Sequence, residues 1–250
     1  MNGILVVNKE KDWTSRDVVN KISRIFNTNK VGHTGTLDPL ATGVLVVAVG
    51  EGVKLVDFLT NETKEYIAEV ECGISTDTLD VLGTTLEEQK DFVLEKDKIE
   101  EVLKSFLGKS LQEVPLYSSI RVEGRRLYEY ARNGEEVELP KRDIEIFSIE
   151  LLEVKDKSFS FKVKVSKGTY IRSLIRDIGK KLNIPCCMKN LTRTKQGLYN
   201  IEDSYTLSEI ENGKYELISF YEVLKDQPMV EVDEFIENKI RNGRILENRY

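Results

Sequence analysis

"VGHTGTLDPLATGVLVVAVG", residues Val31–Gly50, places the only histidine of the chain, an Asp-Pro step and several glycines directly ahead of an apolar run. "GVLVVAVG" is short, continuous and rich in β-branched residues, which reads as a buried strand. The loop before it carries one carboxylate, Asp38. Pro39 biases Asp38 toward extended backbone and away from helix, and the neighbouring glycines let another molecule approach the main chain closely. The pattern presents a carboxylate outward on a stiff turn. Gly32, Gly35 and Gly43 follow neither GxxxxGK[ST] nor GxGxxG, so the loop does not read as a phosphate cradle, and the chain has no GxSxG elbow. A lone carboxylate can serve as nucleophile or base when a cation keeps it ionised. Arg172 and Arg176 are both candidates for that cation; a plain turn-forming aspartate is the alternative.

Around this loop the elements alternate. "GILVVNK" reads as a strand. A helix follows, capped by Thr14 or Ser15, with Val18, Val19, Ile22, Ile25 and Phe26 on one face. "KEYIAEVECGIST" alternates as a half-buried strand, with Tyr66, Ala68, Val70 and Cys72 inward and Lys64, Glu69 and Glu71 assigned to the other side. "DTLDVLGTTLEEQ" reads as a polar loop. "EKDKIEEVLKSFLG" is an amphipathic helix bearing Ile99, Val102, Leu103, Phe106 and Leu107, with Gly108 as its stop. From about 115 to 143 the composition changes: Pro115, Pro140, Arg121, Arg125, Arg126 and a short helix ending at Gly134 suggest an inserted arm. "IEIFSIELLEV" and "SFSFKVKVSKGTY" read as paired strands, "YIRSLIRDIGKKLN" as a basic helix with Ile171, Leu174, Ile175 and Ile178 inward, and "LTRTKQGLYNIEDS" as a further strand. Strand-like "MVEV" and a short helix close the chain.

Composition sets bounds. The 250 residues are 40% hydrophobic and 32% charged, which suits a globular chain with a sizeable core. No run approaches the roughly 18 apolar residues of a membrane span, and the N-terminus has no basic leader or cleavage site, so a cytoplasmic location is expected. Three cysteines, two of them adjacent, suit small buried side chains better than disulfides. With one histidine and no CxxC, no metal site and no cofactor are expected. The net charge of −6 conceals an asymmetry: Lys162–Lys195 holds ten basic residues against Asp177 alone, a local charge of +9. Such a split suggests a face for a polyanion.

At this point the residues meet a resemblance. "GHTGTLDPLATGVLVVAVGEGVKL" is similar to the signature loop of the bacterial TruB-type pseudouridine synthases, which modify uridine 55 in the T-arm of tRNA. "TKEYIAEVECGISTDTLDVLG", "VPLYSSIRVEGRRLYEYARNGEEVE", "SKGTYIRSLIRDIG" and "LTRTKQGLYNIEDS" resemble further family segments in the right order. The resemblance implies an α/β (α+β) fold, with a mixed, mainly antiparallel central sheet flanked by helices. It implies a catalytic domain over 1–225 with an RNA-gripping insertion near 115–143, and a partial PUA-like RNA-binding module over 226–250. It implies Asp38 as the catalytic aspartate, Tyr66 stacking on the flipped base and able to act as a base late in the reaction, and Arg172 pairing with Asp38. His33, Tyr170, Leu191 and Lys9 fall at substrate-binding positions. Arg121, Arg125, Arg126, Lys167, Arg176 and Arg193 are then expected on the RNA backbone. The expected partner is the T-arm stem-loop of tRNA, bound by a monomer, with no membrane. Three stretches depart from the family pattern: Asn8–Asp12, Cys186–Met188 and Thr192. A non-catalytic RNA-binding protein and a guide-RNA-dependent relative are the competing readings. The first would have no need of Asp38, Tyr66 and Arg172 together, and the second lacks an obvious guide-binding extension here.

Overall fold

The computed structural model describes residues 1–228 and 230–244. Two compact units divide the chain, Met1–Leu217 and Ile218–Tyr250.

The first unit is built on a nine-stranded sheet. Its strands and helices follow in chain order: β1 (Gly3–Lys9), α1 (Ser15–Ile25), β2 (Val31–His33), β3 (Thr42–Val49), α2 (Val56–Thr60), β4 (Lys64–Cys72), β5 (Ile74–Thr76), β6 (Thr85–Glu88), α3 (Lys96–Lys104), β7 (Gly108–Glu113), β8 (Arg121–Val122), β9 (Arg125–Arg126), α4 (Leu127–Asn133), β10 (Lys141–Val154), β11 (Ser158–Val165), α5 (Ile171–Leu182), β12 (Cys186–Gln196), β13 (Tyr199–Asn200) and α6 (Leu207–Glu211). The spatial order is β1-β3-β12-β4-β11-β10-β7, with β2 on β3 and β13 on β12. Every pairing is antiparallel except β12 with β3, which run parallel over Thr192–Thr42 and Arg193–Gly43. That seam joins an N-terminal piece, β1-β3-β2, to the rest of the sheet. The mixed, mainly antiparallel sheet expected from the sequence is the one observed.

Local chemistry explains the main elements. β3 is buried along nearly its whole length, on both faces, and a strand covered on both faces takes a continuous apolar sequence. Thr14 and Asp17 form a capping box at the start of α1, and Val18, Val19 and Ile22 are its buried face. Helix α5 buries Ile171, Leu174, Ile175 and Ile178, as its periodicity requires. Cys72, Cys186 and Cys187 are buried free thiols with no disulfide between them; burial pushes the Cys187 thiol up to about 12.

Four expectations are corrected. Lys64 shares the inward face of β4 with Tyr66, because residues two apart on a strand point the same way, and it is buried. The stretch read as a polar loop after β5 contains β6, whose four residues are exposed and pair with β5 in a small separate hairpin. Leu107 is exposed because α3 ends at Lys104, before a turn leading to a strand absent from the sequence reading, β7. That strand is mostly exposed and polar because it forms one end of the sheet.

The arm occupies residues 114–140, between β7 and β10, which pair with each other at its base. Glu123 and Gly124 both adopt positive φ, 51° and 84°, and turn β8 into β9. Helix α4 ends at Gly134 in the left-handed region, φ 67°. In the second unit the described residues hold α7 (Phe220–Leu224) and α8 (Glu234–Arg241). The expected strand near Met229–Val232 is not formed by 230–232, and Met229 lies outside the described residues.

Candidate active site

The loop bearing Asp38 is tied down at several points. Ser15 on α1 bonds Leu37 twice: its hydroxyl donates to the Leu37 carbonyl at 3.2 Å and accepts from the Leu37 amide at 2.9 Å. The Pro39 carbonyl accepts from the Asp12 amide at 2.9 Å and from Lys9 Nζ at 3.3 Å. Arg193 on β12 donates from Nε to the Val44 carbonyl at 2.6 Å and from Nη2 to the Gly35 carbonyl at 3.0 Å, closing both ends of the loop. Gly43 has φ 95°, and a Cβ there would lie 2.3 Å from the Arg193 carbonyl oxygen, so β12 and β3 approach as closely as they do only because residue 43 is glycine.

Arg172, in the first turn of α5, chelates the carboxylate. Its Nε donates to Asp38 Oδ2 at 2.9 Å and its Nη2 to Asp38 Oδ1 at 3.1 Å. Its remaining donors reach the Thr78 carbonyl at 2.9 Å and the Tyr117 carbonyl at 3.0 Å. The arginine side chain is 7% exposed and the aspartate side chain 32%. A bidentate guanidinium favours the ionised carboxylate and fixes its plane, while the exposed third leaves the carboxylate open to a substrate. Of the two candidate cations, Arg172 is therefore the partner. Arg176 lies one helical turn further on, where it pairs with Glu113 and Asp177, each at 2.9 Å.

Asp38 opens into a cavity of about 590 Å³. Tyr66, Tyr170 and Leu191 line it, bringing the two expected pocket residues beside the expected stacking tyrosine. Tyr66 is 6% exposed and stands opposite Arg193 in the β4–β12 register. Tyr170 precedes α5, and Gln112 of β7 fixes its backbone by donating to its carbonyl at 3.0 Å and accepting from its amide at 2.8 Å. Five basic side chains, Lys64, Arg132, Lys167, Arg172 and Arg193, line the cavity against two acidic ones, Asp38 and Asp80. Among the described residues no group of three or more His, Cys, Asp or Glu side chains could hold a metal ion.

Other expected residues stand elsewhere. Lys9 is fully buried, and its ammonium donates to the carbonyls of Glu10, Trp13 and Pro39. It braces the loop from behind and is not among the cavity-lining residues, which corrects its substrate-binding assignment. Burial, set against the nearby Asp38 and Asp12, lowers its pKa to about 8. His33 is half-buried on β2; its Nδ1 accepts from the Gly35 amide at 3.3 Å. Burial and the charges of Arg193 and Arg16 hold the pKa of its imidazole below the usual value. Arg193 is 1% exposed, so its expected contact with the RNA backbone is corrected to a loop clamp. Arg176 is likewise engaged by carboxylates and is not a spare phosphate contact.

The +9 segment is also less basic in space than along the chain. Lys162 pairs with Glu65, Lys189 with Glu69 and Glu71, and Lys180 with Asp177. The acidic residues of β4 meet the lysines of its neighbours β11 and β12. On the arm, Arg121 and Arg126 are exposed, whereas Arg125 makes a bidentate pair with Glu135 at 2.6 and 3.1 Å and covers the Tyr130 ring. The sequence reading missed Lys64, Asp80, Tyr128 and Arg132 as cavity residues. The i, i+4 spacing of Tyr128 and Arg132 on α4 and the two-residue parity of Lys64 with Tyr66 were the available signals.

Comparison with known proteins agrees with this arrangement. The profile of the TruB family pseudouridylate synthase N-terminal domain matches residues 23–171. The chain is 45% identical over 251 residues to the tRNA pseudouridine synthase B of Caldanaerobacter subterraneus subsp. tengcongensis, covering 100% of this chain and 88% of that one. It is 44% identical over 245 residues to the protein of the same name from Clostridium tetani, covering 97% and 85%. A chain in the crystal structure of a Cbf5-Nop10-Gar1 complex superposes with a TM-score of 0.66 at 31% identity, covering 91% of this chain and 57% of its own length, so the present chain spans little more than half of that protein. On its signature loop, its profile match and these relatives, the chain belongs to the TruB family of pseudouridylate synthases.

Proposed function

We propose that this chain converts a single uridine in the T-arm loop of tRNA, position 55, to pseudouridine. The observation that carries the reading is the Asp38–Arg172 chelate at the wall of a cavity that Tyr66 and Leu191 also line. The names of the relatives support tRNA as the substrate class. The reaction is an isomerisation: the N1–C1′ bond breaks, a C5–C1′ bond forms, C5 loses a proton and N1 gains one. The target base must leave its stack to be reached, which costs a few kcal/mol and least in a loop. An aromatic face offsets about 1–3 kcal/mol of that per base, and Tyr66 supplies one. Asp38, ionised and oriented by Arg172, acts on the ribose side of the breaking bond. Once the base has rejoined, Tyr66 takes the C5 proton as it gives up its own hydroxyl proton, and N1 ends with one proton in place of the one C5 lost. No co-reactant enters the balance.

Arg121 and Arg126 on the arm and Lys167 at the cavity wall contact phosphates, and His33 meets the nucleotides displaced with the target base. The chain acts as a monomer on cytoplasmic tRNA, and its second unit supplies a PUA-like RNA-binding segment. The test is incubation with an unmodified T-arm stem-loop followed by mapping of pseudouridine. Product at one loop uridine is expected; no product, or product scattered over several uridines, overturns the reading.

A further inference from the structure

The chemistry proposed above uses Asp38, Tyr66 and Arg172, yet the cavity carries more positive charge than those groups balance. Arg172 is matched by Asp38. Arg193 spends its donors on the carbonyls at both ends of the Asp38 loop. Lys64 and Lys167 have no such match. Lys64 Nζ donates to the Thr60 carbonyl at 3.1 Å and the Glu62 carbonyl at 2.9 Å, and Lys167 Nζ donates to Asn61 Oδ1 at 2.6 Å. Two ammonium groups therefore grip neutral oxygens on three successive residues of one turn. Among the described residues neither lysine has a carboxylate within 4.0 Å. The one acid of that turn, Glu62, lies against the β12–β13 turn: a Cβ at Gly197 would come within 2.8 Å of its Cγ and 3.0 Å of its Oε2.

Lys64 is the unusual member. It is 8% exposed, although an ammonium is costly to bury without a counter-charge. It lines the same cavity as Asp38 and sits two residues before Tyr66 on the same face of β4, about 7 Å along the strand. Next to it the loop carries Gly35, where a Cβ would already touch Lys64 Cε at 3.4 Å, so the loop main chain lies against the lysine stem at the cavity wall. A base stacked on Tyr66 brings the phosphate of its own or the next nucleotide to this end of the cavity. We propose that Lys64 and Lys167 form a seat for one backbone phosphate next to the nucleotide whose base enters the cavity.

The proposal rests on the RNA-modifying reading above and names a contact within it. It has an electrostatic consequence. Burial, joined by the charges of Arg193 on β12 and Lys167 in the β11–α5 turn and opposed by Glu62 on its own turn, lowers the Lys64 pKa to about 8. A phosphate in the seat stabilises the charged form, so binding weakens as pH rises through the pKa of the free protein and the ammonium deprotonates.

The experiment uses T-arm stem-loops carrying a single neutral methylphosphonate at each phosphate flanking the target uridine. Filter binding at pH 7 and pH 9 reads the seat, and pseudouridine formation in the same samples reads the reaction. With the wild-type chain, one flanking methylphosphonate weakens binding on the order of tenfold, as loss of one charge-assisted contact does. Lys64→Gln weakens binding of the native stem-loop by a similar factor and is insensitive to that same methylphosphonate; Lys64→Arg retains binding and loses the decline toward pH 9. Lys9 also deprotonates near pH 8, but it faces Pro39 and not the cavity, so its effect survives phosphate neutralisation. The proposal is overturned if no flanking methylphosphonate flattens the pH dependence of the wild-type chain, a result that stands even if Lys64→Gln fails to fold. It is equally overturned if the variant and the methylphosphonate weaken binding independently. Absence of pseudouridine from the native stem-loop breaks the functional reading instead and leaves the binding comparison to decide the seat.

Discussion

The cavity wall and the arm solve opposite problems with the same residue type. At the wall, Arg172 and Arg193 are nearly inaccessible, and each donates to fixed partners on more than one segment, Arg172 on three and Arg193 on two. On the arm, Arg121 and Arg126 are exposed on a two-residue hairpin, and Arg126 lies 5.9 Å over the Tyr128 ring. Buried arginines bonded on several sides hold a geometry; exposed ones supply charge to whatever docks. Catalysis needs the reacting carboxylate placed to within a fraction of an ångström, whereas phosphate binding tolerates looser positioning. The fold puts the fixed carboxylate–guanidinium pair against the sheet and the exposed arginines on an insertion.

That contrast is breakable. The largest expected effect is at the wall: Asp38→Asn abolishes pseudouridine formation, a loss of at least about 10⁴-fold, while stem-loop affinity stays within a few-fold of the parent chain. Comparable loss of affinity would show that the aspartate grips RNA and does not react with it. Next comes Arg172→Lys, which keeps the charge but cannot chelate; single-turnover rate should fall by roughly 10²–10³ with little change in half-saturating RNA. Lys9→Met should cost about 2–5 kcal/mol in denaturant unfolding, because three carbonyls lose a buried donor. The Lys9 pKa lies below its unfolded value. The unfolded chain therefore binds more protons between about pH 8 and 10.5, and this residue's contribution to stability rises with pH over that window. The stability difference between parent and Lys9→Met should grow accordingly, and a shrinking difference refutes the assignment. The smallest effects lie on the arm. Arg121→Ala and Arg126→Ala should each lower the salt slope of RNA binding by about one unit without altering the rate at saturation. Arg125→Ala should lower it less, since Glu135 already holds that guanidinium.

What was legible in the sequence follows the same division. The Asp38 loop reads directly because its informative residues are contiguous. Tyr66 reads because strand alternation is local, and the same alternation, applied consistently, would have turned Lys64 inward. The choice between Arg172 and Arg176 could not be made from spacing. They stand one turn apart on the same helix, and only the position of that helix relative to a loop 134 residues away separates them. The +9 segment misled for a related reason. Charge counted along the chain omits the strands on either side, and here Glu65, Glu69 and Glu71 of β4 oppose the lysines of β11 and β12. Lys9 and Arg193 look like surface cations in sequence because their acceptors are main-chain carbonyls, which no residue pattern records.

The parallel seam between β3 and β12 gives the chain a chronology. Asp38 belongs to the first strands synthesised, but the strand that clamps its loop, and the helix that chelates it, follow well over a hundred residues later. Closing such a separation costs loop entropy that only the finished contacts repay. A nascent chain ending before Cys186 thus carries the reactive carboxylate without the strand that fixes it. The loop is held at both ends only once β12 lies beside β3, so a late strand of the sheet completes the setting of an early carboxylate.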